Sequence, residues 1–406
     1  MGQAAFEFDS SLPAPAFEPE TAFEIGWDFA HFALAPPAEH LLAGSALRHG
    51  FDAGRASFGA RTLAPTRHTR KWLQLRLNAW RRGRIFEGLQ VTPNYLGQID
   101  ATHCPITREA LTQATGTPSD ASIDRVRNDA GYAAGNLVVM STRANTAKGD
   151  ADFDAALASM RHAESTAGAD TCPAATAQGA TLGAAQWARI AVLCSFVTEL
   201  SHAQAAALPL LVLPPNRLRL FNPVQALQAL VTRQFAQPDW NRRVTRIAAL
   251  IAGKSVRRDF QIFINALLPR VIESGPPRDA QAMRWALEDG WRNPLVLRCW
   301  KRFALQIDAA QAERIVLGAS ARRPGDRHAI ATSLAQATEG WGLAQGGYVH
   351  ARDATALPRP RRPRPTPARA GALPPNDSAG DAAAASHPAM CPPPGGRAGS
   401  AMPALA

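Results

Sequence analysis

The chain is poor in cysteine, and the few it has are badly placed for cross-linking. Cys104, Cys172, Cys194, Cys299 and Cys391 are five in number, odd and scattered, and no C-x-x-C occurs. That excludes a disulfide scaffold and a thiolate zinc site, and fits a reducing compartment. No apolar run reaches the length of a membrane span, so no membrane partner is expected. The N-terminus lacks the basic and apolar regions of a secretory signal, and Phe6 stands where a myristoylation signal has Ser or Thr. These absences together lead us to expect a cytoplasmic protein.

Positive charge is missing from one region and concentrated in the next. Residues 1–47 hold no Lys or Arg and seven acidic residues, from Glu7 to Glu39. Prolines at 13, 15, 19, 36 and 37 interrupt this stretch, and only Glu24–Phe32 has the makings of a short amphipathic helix. It reads as a flexible acidic arm whose aromatics dock on a neighbour. The alternative is an arm that folds back and masks the basic segment after it.

That segment, residues 48–101, carries nine Lys or Arg between Arg55 and Arg84. Arg67 to Arg84 reads as one helix, with Trp72, Leu73, Leu75, Leu77 and Trp80 as its apolar surface and Gly83 as its C-terminal stop. Arg70, Lys71, Arg81, Arg82 and Arg84 can lie along a phosphate backbone. A second short helix is expected after Thr92, with Thr92 as N-cap and Pro93 at the first helical position.

The whole chain is 406 residues with a formal net charge of +11 and 46% hydrophobic residues. It is long enough for two modest cores, and basic enough to favour a polyanionic partner, DNA or RNA. A linker is expected at 156–181 and a helical domain of unassigned role at 182–345. The latter's helices run over about 186–197, 224–235, 242–251 and 260–272 from their apolar spacing. Within it Leu208–Pro215 reads as an extended apolar connector. Residues 346–406, rich in Pro, Arg and Ala, read as a disordered basic tail.

The densest chemistry lies in residues 102–155. Ser122–Val126 is expected as a strand, Asn128–Asn136 as a loop of turn residues, and Leu137–Met140 as a second strand. Ser141 then caps a helix carrying Asn145 and Lys148. A hairpin followed by a helix is a compact scaffold for metal-assisted phosphodiester hydrolysis, which needs oxygen ligands for a hard cation, a base and a basic group.

At Cys104-Pro105-Ile106-Thr107, Ser122-Ile123-Asp124-Arg125, Gly131-Tyr132, Gly135-Asn136 and Ala144-Asn145-Thr146-Ala147-Lys148 the sequence resembles the HNH endonuclease superfamily. The likeness is to the ββα-metal form of its phage and mobile-element branch. It covers about 50 of the 406 residues. The fold class it implies is α+β and mostly helical, a small ββα module followed by a helical domain.

By that resemblance Asp124 and Asn145 are catalytic, metal-side residues for Mg²⁺ or Mn²⁺. Asn136 braces the loop, Cys104 is structural, and Arg125 and Lys148 contact nucleic acid. Two departures accompany it. Relatives have a general-base His at position 125, where this chain has Arg, so His103 is the substitute base if the fold brings it close. Thr107, Ser141 and Ala144 replace zinc-knuckle cysteines, so no structural zinc is expected. Arg127 also stands where relatives often have an acid. The function implied is metal-dependent DNA cleavage. The alternatives are a catalytically inactive nucleic-acid-binding module of the same fold, and a helical protein-interaction protein with incidental charge.

Overall fold

The computed structural model describes residues 19–167, 182–273, 278–320 and 334–348. In it the chain is mostly helical, with one two-stranded antiparallel sheet among the described residues. Four helices precede the sheet: α1 (Pro19–His31), α2 (Ala46–Phe58), α3 (Arg67–Arg81) and α4 (Pro93–Ile99). Strands β1 (Ala121–Arg125) and β2 (Leu137–Ser141) lead into α5 (Thr142–Lys148) and α6 (Phe153–Ala167). Then come α7 (Ala184–Ser195), α8 (His202–Ala207), α9 (Pro223–Gln234), α10 (Trp240–Ala249) and α11 (Lys254–Ile272). The last are α12 (Ala280–Gly290), α13 (Pro294–Ala304), α14 (Ala309–Ser320) and the short α15 (Leu334–Ala337). No helix among the described residues is long and apolar enough to cross a membrane.

Local signals set many of these boundaries. Thr66 caps α3 by accepting from the Thr69 amide, Thr92 caps α4 from Tyr95, and Ser141 caps α5 from Ala144. Gly83 follows α3 with φ of 59°, a conformation glycine adopts at little cost. The expected helix over 67–84 therefore stops at Arg81, and Arg82 closes its last turn.

The acidic arm is not loose over 19–31. There it forms α1, which packs against α2 backbone to backbone. A Cβ on Gly50 would stand inside the carbonyl group of Phe23, and one on Gly26 would meet the carbonyl of Leu47. Nor does α1 cover the outer basic residues of α3. Its Asp28 and Glu24 pair with Arg76, whereas Arg70, Arg81 and Arg82 stay exposed.

The sheet lies between two hydrophobic cores. Register pairs Asp124 with Val138 and Ser122 with Met140, and puts Ile123 opposite Val139 and Arg125 opposite Leu137. Side chains alternate along a strand, so these pairs fall on opposite faces. Val138 and Met140 join the core built by α7 to α14, which includes Phe263, Trp291, Trp300 and Phe303. The Trp291 and Trp300 ring centroids are 5.6 Å apart, and Phe263 lies 5.1 Å from Trp300. Leu137 and Val139 join the other core, with α1, α3 and α4.

The boundaries expected at 155 and 182 therefore do not separate packing units. Cys104, Ile106 and Ala144 share a core with residues of 182–345. The linker expected from 156 is α6 as far as Ala167, packed on α7, because Ala156 is buried in that core. Residues 168–181 of the expected linker lie outside the described residues. So does the tail beyond Tyr348, but Gly346–Tyr348, taken as tail, pack on the segment after α3 and on the loop between the strands: Gly347 accepts from the Ile85 amide at 2.7 Å, and a Cβ on it would stand 2.6 Å from the Ala130 carbonyl.

Gly50→Val is expected to push α1 and α2 apart and lower stability by more than about 3 kcal/mol. Gly88→Ala, whose Cβ meets nothing within 4 Å, should stay within about 0.5 kcal/mol of wild type. Urea denaturation of the two variants distinguishes them, and equal midpoints would refute the close approach.

Candidate functional site

The expected ββα layout is present, and α5 lies across one face of the hairpin. Two side-chain contacts attach it there. Asn145 Nδ2 donates to Ser122 Oγ at 2.7 Å. Lys148 Nζ stands 3.0 Å from Asp124 Oδ2 and donates to the Arg125 carbonyl at 3.1 Å. The Asp124 carboxylate is 5% exposed and Lys148 2%, so the pair is sealed from water. Burial pushes the Asp124 carboxyl up from its ordinary range, and the Lys148 ammonium pulls it back in part.

Helix α7 lies close to the pair, whose two charges both reach its Cys194. Cys194 Sγ lies 4.0 Å from the carbonyl oxygen of Val126 and 3.9 Å from that of Ala151. Its thiol is pushed up to about 12 by burial, so it stays protonated and unreactive.

The residues expected to hold a divalent ion do not fit one. Asp124 already faces a cation, the Lys148 ammonium, and the amide of Asn145 is turned to Ser122. His103 does not join them. Its ring packs edge-on against Trp285 at 5.3 Å, and its Nδ1 is 3.0 Å from Thr102 Oγ1. It lines a cleft of about 240 Å³ shared with Asp100, Val138, Arg284 and Trp285. Lys148, expected to face phosphate, is instead buried against Asp124.

The structural assignments have plain partners. Asn136 is fully buried. Its Oδ1 accepts from the Arg127 amide at 2.9 Å, while Nδ2 donates to the carbonyls of Arg127 and Gly131 at 3.0 and 3.1 Å. It thereby closes the 126–136 loop on itself. Cys104 Sγ accepts from the Ser141 hydroxyl and the Thr107 amide, each at 3.4 Å. One thiol is present among these four positions, Cys104, Thr107, Ser141 and Ala144, and hydrogen bonds join all four, since Ser141 also accepts from the Ala144 amide.

Three residues with no expected role secure that knuckle turn. Arg189, 6% exposed, donates to the Ile106 carbonyl at 2.8 Å from within an apolar helix. Burial lowers its guanidinium to about 10. Arg108, at φ of 65°, grips Asp289 through two contacts of 2.7 and 2.9 Å and reaches Glu288 at 3.3 Å. Glu288 also accepts from Arg284 and the Leu213 amide. Arg189 was visible in the sequence as a lone charge in an apolar run. Arg108 and Glu288 carried no such mark.

The basic residues divide into free and engaged. Arg70, Arg81 and Arg82 are exposed and have no carboxylate partner among the described residues. Lys71 is half-buried, with Nζ 3.5 Å from the Ala121 carbonyl, and burial lowers its ammonium. Arg84 and Arg125 are half-buried between the loop and residues 346–348, donating to backbone carbonyls.

No family model, curated protein or solved structure matches the chain.

Removing one member of the Asp124–Lys148 pair leaves a buried charge without its partner. Lys148→Met is expected to lose about 3–5 kcal/mol at neutral pH. The folded-state pKa of Asp124 is already raised, and this substitution raises it further. Stability held by the neutral carboxyl is lost as pH rises through that value, so the defect should shrink on acidification towards pH ~5. Asp124→Leu/Lys148→Met should regain most of the loss. Urea midpoints at both pH values check this, and a defect independent of pH would contradict it.

Proposed function

We propose that this chain is a nucleic-acid-binding protein built on an HNH-like ββα module that holds DNA without cutting it. The observation that carries the reading is the outer stripe of α3. Arg67, Arg70, Gln74, Asn78 and Arg81 recur there at helical spacing, with Arg82 just beyond. The stripe is ~21 Å long at 1.5 Å per residue, and it contains no acid. Arg67 is paired with Asp100, while Arg70, Arg81 and Arg82 are left for phosphate. Guanidinium forks suit phosphate oxygens, and neighbouring amides add donors that read no base.

The inactive form is favoured over cleavage by what stands beside Asp124. An ammonium from its own chain balances that carboxylate, and both residues are buried, which leaves no open face for a metal ion or a phosphodiester. At the position of the usual general base, Arg125 points to the opposite face of the sheet, and its guanidinium is a donor with no lone pair to take up a proton. DNA is the proposed ligand, with RNA as the alternative polyanion.

The test is binding to duplex DNA across a salt series, together with plasmid nicking in Mg²⁺ and Mn²⁺. Wild type should bind with a steep salt dependence. Arg70→Gln, Arg81→Gln and Arg82→Gln should each reduce the slope of log K against log salt by ~0.9. No metal-dependent nicking is expected. Nicking that disappears in Asp124→Ala would restore the hydrolase reading. Absence of binding at low salt would favour a protein-interaction role.

A further inference from the structure

We propose that Arg84 and Arg125 together form a seat for a phosphate group, at the junction of the 126–136 loop, the segment after α3 and residues 346–348. The proposal rests on the nucleic-acid reading for the source of that phosphate, but not for the seat itself.

The two guanidiniums are neighbours. Both Nη1 atoms reach the carbonyl oxygen of Asn128, Arg84 at 3.5 Å and Arg125 at 3.1 Å. Each Nη1 has one further acceptor, Gly346 O for Arg84 at 3.1 Å and Ala130 O for Arg125 at 2.7 Å. Each guanidinium also lies by a tyrosine ring. Arg84 Cζ is 3.6 Å from the Tyr348 centroid, and Arg125 Cζ is 5.0 Å from that of Tyr132. Backbone and rings thus fix the planes of both groups.

These contacts use one nitrogen of each guanidinium. Nε and Nη2 of both residues have no acceptor among the described residues, and together they form the side-on fork that takes two oxygens of a phosphate. Nor does a carboxylate neutralise the pair. Asp129, whose charge reaches Arg125, is gripped by Arg127 at 2.7 and 3.0 Å. Glu87 accepts from the amides of Leu89 and Gln90. Asp124 lies on the other face of the sheet with Lys148.

Two like charges held side by side and partly dehydrated repel each other. Burial and the charge of Arg125, in that order, lower the Arg84 guanidinium below its ordinary value. A bound anion with several oxygens relieves this repulsion, and phosphate has the charge and enough oxygens to serve both guanidiniums. Tyr348 is 40% exposed, so the seat is open on its side.

The experiment uses the full chain. Its melting temperature is compared in inorganic phosphate and in chloride at matched ionic strength, for wild type, Arg84→Gln, Arg84→Lys and Arg242→Gln. Binding to the folded state raises the melting temperature. Phosphate should stabilise wild type and Arg242→Gln alike, and Arg84→Gln not at all. Arg84→Lys keeps the charge without the fork and the fold without a gap, and should retain part of the effect. A phosphate effect that is absent in wild type, or undiminished in Arg84→Gln, overturns the seat.

The source is read from closed-circular duplex, linear duplex with 5′-hydroxyl ends, and linear duplex with 5′-phosphates. If backbone diesters fill the seat, Arg84→Gln weakens all three by roughly tenfold or more. If terminal monoesters fill it, only the last is weakened. Should wild type bind none of the three and still respond to phosphate, the seat stands and the nucleic-acid reading falls.

Discussion

The buried ion pair between Asp124 and Lys148 is the constraint around which the sheet module is arranged. A carboxylate at 5% exposure is tolerable only beside a cation, and Lys148 supplies it from the last turn of α5. That contact and the Asn145–Ser122 hydrogen bond fix which face of the hairpin the helix covers. A shift of one residue in register would turn Asp124 to the other face of the sheet, away from Lys148. The same contact removes from Asp124 the chemistry its sequence surroundings suggest.

With one face of the sheet given to that pair and to the large helical core, the other face is free to join the basic N-terminal helices. Two strands alone are marginal in water, and here each face has its own hydrophobic cover. The knuckle turn at Cys104 depends on the same arrangement. Arg189 holds it from the helical side, and Arg108 of the turn reaches across to Asp289 and Glu288. The ββα module and the helices after it therefore belong to a single packing unit, and the positive charge that stays available lies on α3 and around the 126–136 loop.

Much of this was legible locally. Thr92-Pro93, Ser141 and Gly83 mark helix ends by short-range hydrogen bonding and backbone preference, and each acts in the structure as its residue type suggests. Both strands fall within a residue of where alternation and turn residues put them. Asn136, which only the resemblance marked as the brace of the loop, bonds the Arg127 amide and the carbonyls of Arg127 and Gly131. What misled was composition: the acidic, proline-broken stretch before residue 47 reads as loose, yet Gly26 and Gly50 let α1 and α2 meet at backbone distance. Sparse hydrophobicity there is offset by that close contact.

The sequence by itself determined the kind of elements present, their order, and which residues gather in one short stretch around Asp124. It also determined the excess of positive charge, because charge sums along the chain whatever the fold. Only the tertiary structure decided what those residues face. Whether Lys148 meets a phosphate or Asp124, and whether His103 meets Asp124 or Trp285, depends on α7 and α12, which lie some 40 to 180 residues away in sequence. Pairing energies and burial are properties of the assembled neighbours, and the packing that buries a site leaves no mark in the residues it covers.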